Sequence, residues 1–212
     1  MRYNLSDIEA LPQRQRAALI NCLPGIKPVM LVGTADANGA TNLSVVSSCF
    51  HLGSAPALLG MIIRPSPDGT ERHTLDNLLA QGCYTLNAIT PEMTQRAHHT
   101  AARFPKDISE FDACQLAPLW DTDVSAPFVA ESPLRIALSL QEHQPLAING
   151  THLVIGAITQ LYCDDGALRD DGSINLHDLG VVGCAGLDSY HAIAEGVRYS
   201  YAKPDHEPHR LT

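Results

Sequence analysis

Short apolar runs of strand length recur along most of this chain. They predict strands over residues 29–32, 41–50, 57–64, 83–89, 134–143 and 152–163, with one more near Val181. Tight turns are predicted at Asn38-Gly39, at Asn149-Gly150 and around Asp170-Asp171-Gly172, because Asn-Gly and Asp-Gly pairs accept positive φ. The pattern favours a mainly β protein, an antiparallel barrel with peripheral helices.

Helical signals are fewer. Helices are predicted over 6–22 with a break at Pro12, over 73–82 and over 91–102. The residues expected to begin or end them are Ser6, His73 or Thr74, and Thr90 at the starts, and Gly82 at an end. A loop with Pro65, Pro67 and Gly69 precedes the second helix. Residues 103–130 are predicted to be irregular because prolines interrupt them.

The chain of 212 residues predicts a single domain, with a helical segment over 1–23 and a polar tail over 203–212. Its net charge of −9 argues against a general nucleic-acid binder, although it permits a local arginine cluster. Residues 1–11 contain Asp7 and Glu9 and lack a sustained apolar stretch, and no apolar run is long enough to span a membrane. We therefore expect a cytoplasmic protein without a membrane partner.

Six cysteines are present, and none forms a C-x-x-C pair or a zinc-ligand spacing. Several stand in apolar runs, which indicates buried, inert thiols. His98 and His99 are adjacent on a predicted helix, so their side chains point about 100° apart and are poorly placed to share a metal. We expect no metal site. One of the two could line a pocket and move protons, whereas a packed or surface histidine is the commoner outcome.

The strongest local signal for a ligand is a cluster of donors at a predicted helix start. Arg64 ends a strand, and Arg72, His73 and Thr74 open the next helix. A helix N-terminus has unpaired N–H groups and a partial positive charge, which suit a phosphate. The alternative is a capped surface helix flanked by solvated arginines. No dinucleotide-binding or P-loop glycine motif is present.

A second signal is the run of small polar residues from Asn42 to Cys49, which includes Ser47 and Ser48. Strand interiors prefer branched and aromatic residues, so this run indicates a planar or polar group close to the backbone. An ordinary strand with a hydroxyl-lined face is the alternative. No G-x-S-x-G motif or other covalent catalyst is evident, which is typical of an enzyme whose cofactor carries the reaction.

Taken in order, the motifs of this chain resemble those of the flavin reductase-like FMN-binding split-barrel proteins, which include flavoredoxin. The first are Gly33-Thr34, Asn42-Leu43-Ser44, Ser47-Ser48, Ile63-Arg64-Pro65, Arg72-His73-Thr74-Leu75-Asp76-Asn77 and Tyr84-Thr85-Leu86-Asn87. The others are Ala97-His98-His99-Thr100, Phe104-Pro105, Ser109-Glu110-Phe111-Asp112, Ala126-Pro127, Glu131-Ser132-Pro133, Leu153-Val154-Ile155-Gly156 and Gly186-Leu187-Asp188-Ser189-Tyr190. The resemblance covers about residues 24–204. Many members have Asn in place of Phe50 and Arg-Pro in place of Lys27-Pro28.

The resemblance implies a Greek-key-like split β-barrel that forms a homodimer, with FMN near the subunit interface. The implied cofactor-binding residues are Asn42, Ser47, Ser48, Cys49, Arg64, Arg72, His73, Thr74, Phe104 and Tyr190. Ser47, Ser48 and Cys49 would lie beside the flavin ring, and the Arg72-His73-Thr74 helix start with Arg64 would hold the phosphate. His98 and His99 would approach the flavin and are the candidates for a catalytic role.

The implied function is an FMN-dependent oxidoreductase that takes hydride from NADH or NADPH and reduces free flavin or another small-molecule acceptor. An FMN-carrying electron-transfer protein that does not oxidise NAD(P)H itself is the first alternative. A barrel that binds haem or a pyridoxal phosphate relative is the second, and a purely structural dimer is the third.

Overall fold

The fold is described from a computed structural model that covers residues 1–66 and 72–211. Residues 67–71 and Thr212 lie outside the described residues, and with them Pro67 and Gly69 of the predicted loop. In the described part of the chain, no helix is both long and apolar enough to cross a membrane.

The described elements are short helices placed around longer strands. The helices are α1 (Leu5–Ala10), α2 (Gln13–Cys22), α3 (His73–Gln81), α4 (Thr94–His99) and α5 (Glu110–Ala113), with 3₁₀ turns at Pro91–Met93 and Asp165–Ala167. The strands are β1 (Lys27–Pro28), β2 (Met30–Ala35), β3 (Thr41–Val46), β4 (Cys49–Ser54), β5 (Ala57–Ile63), β6 (Cys83–Ala88), β7 (Pro118–Asp121), β8 (Val124–Val129), β9 (Leu134–Pro145), β10 (His152–Cys163), β11 (Val182–Ala185) and β12 (Ser189–Ala192). Strand residues dominate, so the prediction of a mainly β protein is confirmed.

Seven strands form one antiparallel sheet in the order β3-β2-β6-β9-β10-β5-β4. Its two edge strands, β3 and β4, are consecutive in the chain, and no described ladder joins them. The sheet is therefore split at the point where β3 passes into β4. Two smaller sheets, β1-β11-β12 and β7-β8, pack beside it. The predicted hairpin turn at Asn149-Gly150 joins β9 to β10, with Gly150 at a φ of 71°.

The predicted strand over 41–50 is wrong as a single element, because the chain breaks at Ser47 and Ser48 into β3 and β4. The Ser48 hydroxyl donates to the carbonyl oxygen of Ile62 at 2.7 Å, and the Ile62 N–H donates to the Ser48 carbonyl at 3.3 Å. A serine side chain that takes a backbone acceptor competes with the regular ladder. The small polar residues thus mark a corner.

Two helix starts and one helix end differ from the predictions. Asn4 caps α1 in a capping box with Asp7, so Ser6 lies inside the helix. The N-cap of α3 is Arg72, which makes α3 begin at His73, while the predicted stop at Gly82 is confirmed by its φ of 67°. The helix that follows Thr90 ends at His99, since Thr100 turns its hydroxyl back to the Ala97 carbonyl at 2.7 Å.

The prediction that 103–130 is irregular is wrong, because α5, β7 and β8 occupy part of it. Ser109 caps α5 by accepting from the Phe111 N–H. Pro118 begins β7 and Pro127 lies in β8, where the missing N–H of proline is tolerated in a small two-stranded sheet. The carbonyl of Pro127 is used instead, because it accepts from the Thr85 hydroxyl at 2.7 Å.

Two buried apolar clusters fix the elements that carry the site. Leu75 and Leu78 of α3 pack with Leu138 and Val154 of the sheet. A second cluster joins Leu31 and Leu43 to residues of α4 and α5, which include Ala97 and Phe111. Helix α3 therefore packs in one cluster, and α4 and α5 pack in the other. Cys114 and Cys184 are buried, whereas Cys22 is exposed, so the expectation of buried thiols is wrong for Cys22.

Candidate functional site

A cavity of about 960 Å³ opens between β3, the start of α3, the end of α4 and the β11–β12 turn. We call it the polar cavity. Nine of the predicted site residues line it: Asn42, Ser47, Arg64, Arg72, His73, Thr74, His98, Phe104 and Tyr190. A smaller cavity of about 450 Å³ adjoins it and shares Ser47, Arg64, Arg72 and Thr74 with it.

The start of α3 supplies donors to the polar cavity. Leu75 and Leu78 anchor the helix in the core, which leaves His73 and Thr74 at the cavity wall. Arg72 holds the N-cap position, and its side chain makes no capping hydrogen bond. The first N–H groups of the helix therefore keep their capacity to bind an anion, supported by the helix dipole.

A buried asparagine orients the hydroxyl group of Thr74. Asn42 Nδ2 donates to Thr74 Oγ1 at 2.8 Å and to Thr34 Oγ1 at 3.4 Å. An amide NH₂ only donates, so Thr74 must accept here and keeps its own O–H for another partner. The predicted roles of Asn42 and Thr74 can thus be divided: the asparagine positions the hydroxyl, and the threonine presents it to the cavity.

Basic side chains are concentrated at the polar cavity. Arg64, Arg72, Arg103 and Lys106 line it, whereas Glu110 is the only carboxylate among its described lining residues. The whole chain has 14 Lys and Arg against 23 Asp and Glu, so this wall reverses the overall charge balance. Such a concentration raises the local potential and attracts anionic ligands.

Side chains from α4 and α5 cover the outer edge of β3. The Leu43 N–H donates to Glu110 Oε2 at 2.9 Å, and the Val45 N–H donates to Thr100 Oγ1 at 2.9 Å. Ser47, which follows the last residue of β3, lines the polar cavity next to this covered edge. Burial raises the pKa of Glu110, while the Leu43 N–H lowers it.

The three residues at the strand corner separate in space. Ser47 lines both cavities, and Ser48 lines the smaller one. The side chain of Cys49 instead packs against the apolar core, where burial raises its thiol pKa to about 12. Its thiol therefore does not face the polar cavity, in contrast to the two serines.

His98 and Tyr190 form a pair at the rim of the polar cavity. His98 Nδ1 and Tyr190 Oη are 3.2 Å apart, and the rings meet edge to face at 5.8 Å. Burial raises the pKa of Tyr190 to about 12, so its hydroxyl stays protonated at neutral pH. His99 packs edge to face on Phe104 at 5.3 Å and does not line the cavity itself.

Sequence reasoning missed several residues of this wall. Arg103 and Lys106 flank the Phe104-Pro105 motif, so their proximity to a predicted ligand residue was the available signal. Glu110 and Thr100 belong to motifs of the family resemblance, but no role was predicted for them, because they accept from N–H groups of a strand distant in sequence. Among residues 1–66 and 72–211, no three His, Cys, Asp or Glu side chains are grouped to hold a metal ion.

Comparisons with known proteins agree with this architecture. The family model described as the flavin reductase like domain matches residues 26–178. A split-barrel protein of Shewanella frigidimarina, assigned to the flavin reductases, is 46% identical with a TM-score of 0.90, covering 95% of this chain and 100% of that one. The fold is therefore the split barrel that the family resemblance implies.

Two more distant structures share the fold. Flavoredoxin of Desulfovibrio vulgaris (Miyazaki F) is 22% identical with a TM-score of 0.71, covering 97% of this chain and 98% of that one. An FMN-binding protein from Thermus thermophilus, solved with bound 1-cyclohex-2-enone, is 16% identical with a TM-score of 0.67, covering 86% and 93%. Since the family model spans most of the sequence, the chain belongs to the flavin reductase like domain family.

Proposed function

We propose that this chain binds FMN in the polar cavity and acts as an NAD(P)H-dependent oxidoreductase on a small-molecule acceptor. The observation that carries the proposal is the start of α3, where uncapped N–H groups meet Arg64, Arg72 and the free donor of Thr74. A phosphate ester is the ligand group that this donor set suits best. The FMN-binding protein of the same fold supports the choice of flavin.

The cavity also suits a planar ring joined to a phosphate. Its volume of about 960 Å³ falls within the usual size of small-molecule sites. We propose that the α3 start holds the phosphate, and that Ser47, which lines both cavities, lies beside the ring. Phe104 and the pair of His98 and Tyr190 would border the remaining space, where a nicotinamide or an acceptor enters.

Bound FMN would supply the hydride and electron transfer, which no side chain of the cavity offers by itself. The protein's part is to bind the phosphate, orient the ring and exclude water. The Tyr190 hydroxyl keeps a proton at the rim of the cavity, next to His98 Nδ1. That position suits donation of a hydrogen bond to a bound acceptor.

The visible spectrum tests the proposal directly. Purified protein is mixed with FMN, desalted and scanned. We expect it to retain a flavin absorption band at about 450 nm, which is a property of the cofactor itself. NADH and NADPH are then added anaerobically, and bleaching of the band identifies a reductase. Failure to retain or titrate FMN at any practical concentration would refute the central claim.

An FMN-carrying electron-transfer protein is the second candidate, and the shared fold with flavoredoxin favours it. The same experiment separates the two functions. A carrier keeps its oxidised spectrum with either nicotinamide and is bleached only by a chemical reductant such as dithionite. A reductase is bleached by at least one nicotinamide within seconds to minutes.

We also propose a homodimer. Exposed apolar side chains stand on the N-terminal segment, at Leu5, Leu23 and Ile26, and on the edge strand β4, at Phe50 and Leu52. Ile26 and Phe50 line the same cavity, and contiguous exposed apolar residues are typical of subunit interfaces. Light scattering after size exclusion should give about 46 kDa, which is twice 22.8 kDa. A monomer mass at all concentrations would contradict the proposal.

The expected cytoplasmic location stays a prediction.

A further inference from the structure

The N-terminal helices form part of the site although they contribute nothing to the core. Residues 1–25 precede the stretch matched by the family model, and neither α1 nor α2 contains a buried residue. Yet Ile20, Asn21 and Pro24 line the smaller cavity, together with Arg64 and Thr74. Because core packing does not hold these three residues beside the cavity, other contacts must fix their position.

Asn21 makes a contact of fixed direction with Arg64. Its Nδ2 donates to the Ala17 carbonyl at 2.7 Å, and its Oδ1 accepts from Arg64 Nη2 at 2.5 Å. A carbonyl only accepts and a guanidinium only donates, so both ends of the amide are matched and a flipped amide would lose both bonds. The amide of Asn21 therefore presents its oxygen to Arg64.

The end of α2 is itself tied to the barrel. Lys27 Nζ donates to the Asn21 carbonyl at 3.1 Å and to the Gly186 carbonyl at 2.9 Å. Arg16 Nη1 donates to the Glu9 carbonyl at 2.8 Å and so joins α1 to α2. Asn21 thus stands on a braced helix end next to the cavity.

Arg64 benefits from such a brace because it follows the last residue of β5 and is exposed. A free arginine side chain has many rotamers, and their loss on ligand binding weakens affinity. In the described part of the chain, no carboxylate forms an ion pair with Arg64. The neutral amide of Asn21 holds the guanidinium without cancelling its charge.

We propose that Asn21 is a positioning residue for phosphate recognition, which holds Arg64 in the rotamer that faces the phosphate of FMN. The proposal rests on the proposed function of FMN binding. Asn21 lies outside the residues matched by the family model. The proposal gives this segment a role in the preference for phosphorylated over unphosphorylated flavin.

Riboflavin, which lacks the phosphate, provides the discriminating probe. Dissociation constants for FMN and riboflavin are measured by fluorescence titration of wild type, Asn21→Ala, Arg64→Ala, the double variant and Gln15→Ala. Gln15 is an exposed residue of α2 and serves as the matched control. Riboflavin binding also reports that each variant is folded.

We expect Asn21→Ala to weaken FMN about fivefold, as the immobilisation of one long side chain predicts. Arg64→Ala should weaken FMN about 50-fold through loss of a charge-assisted contact. The double variant should equal Arg64→Ala within about twofold, because Asn21 acts through Arg64. Riboflavin affinity should stay within about twofold throughout, and Gln15→Ala should match wild type for both ligands.

Three results would overturn the proposal. Equal FMN affinity for Asn21→Ala and Gln15→Ala would show that Arg64 needs no brace. Equal weakening of FMN and riboflavin would assign Asn21 to the cavity wall alone. Additive effects in the double variant would show that Asn21 acts independently of Arg64. In each case wild type still binds FMN, so the proposed function survives; loss of FMN binding by wild type would refute both.

Discussion

Two cavities lie on opposite sides of the corner between β3 and β4, and their linings differ in chemistry. The polar cavity has the α3 start and the four basic side chains described above. The other, which we call the apolar cavity, has about 480 Å³ and is lined mainly by aliphatic and aromatic residues, among them Met30, Phe50, Leu59, Val182 and Ile193. Val29 borders both.

The comparison teaches that donor chemistry, rather than enclosed volume, distinguishes the candidate ligand site. The apolar cavity offers dispersion contacts but few groups that could fix the orientation of a ligand. The polar cavity offers directed N–H and O–H donors on rigid supports, which fix both position and charge. Changes on the two sides of the corner should therefore have separable effects, on binding in one case and on stability in the other.

The largest expected effect is that of Arg72→Ala. Loss of one charge-assisted contact to phosphate should weaken FMN by about 2 to 3 kcal/mol, or roughly 30- to 150-fold, with riboflavin little changed. Isothermal titration calorimetry measures both. Arg14→Ala removes the same charge from the exposed part of α2 and is the control. Equal effects of the two variants would mean that only net charge matters.

Thr74→Val should weaken FMN by about 1 to 1.5 kcal/mol, or roughly 5- to 15-fold, because it removes one hydroxyl donor. It also leaves the buried Asn42 Nδ2 without its 2.8 Å partner, so thermal unfolding should begin at a lower temperature. Thr74→Ser keeps the hydroxyl and should restore most of the affinity. If the serine variant binds as weakly as the valine variant, the hydroxyl is not the group in contact.

Changes at the apolar cavity should act on stability alone. Val182→Ile adds one methylene beside empty space and should stabilise the protein by about 0.5 to 0.8 kcal/mol, or about 2 °C. Val129→Ile is the matched control, because Val129 is fully buried and lines none of the cavities described, so overpacking should destabilise. Calorimetric melting measures both, and an altered FMN affinity in Val182→Ile would contradict the separation of the two sides.

The smallest effect concerns the pH dependence caused by Glu110. Burial raises its pKa, so the folded protein binds this proton more tightly than the unfolded chain does. The wild type should therefore lose stability relative to Glu110→Gln as pH rises through the raised pKa, and the two should behave alike in acid. Urea unfolding between about pH 4 and about pH 8 measures the difference. If the difference in unfolding free energy between the two proteins instead grew toward low pH, the assigned direction of the Glu110 pKa shift would be wrong.

Much of the fold was predictable because the signals were local. Gly82 ends α3 and Asn149-Gly150 turns β9 into β10, as the sequence predicts. The corner at Ser47 and Ser48 was not predictable, since it depends on a hydrogen bond to Ile62, which is remote in sequence. Apolar periodicity also could not reveal β7 and β8, because their prolines are tolerated only where the strands pair in a small sheet.

The part of the candidate site that lies at one helix start was predictable. The part that depends on contacts between residues distant in sequence was not. Arg72, His73 and Thr74 are contiguous, so their shared role could be read from the helix signal. Asn21 stands 43 residues before Arg64, and nothing in its neighbourhood indicates a ligand. Contacts of this kind arise from packing, which a single sequence does not display.

The covered edge of β3 has a consequence for how copies of this protein meet. An exposed strand edge is a template on which another chain can add and begin an aggregate. On β3, the N–H groups of Leu43 and Val45 are already taken by Glu110 and Thr100, so an incoming strand finds no regular row of donors to extend. Glu110 and Thr100, which line the polar cavity, thereby also protect this strand edge from pairing with another chain and so from β-aggregation.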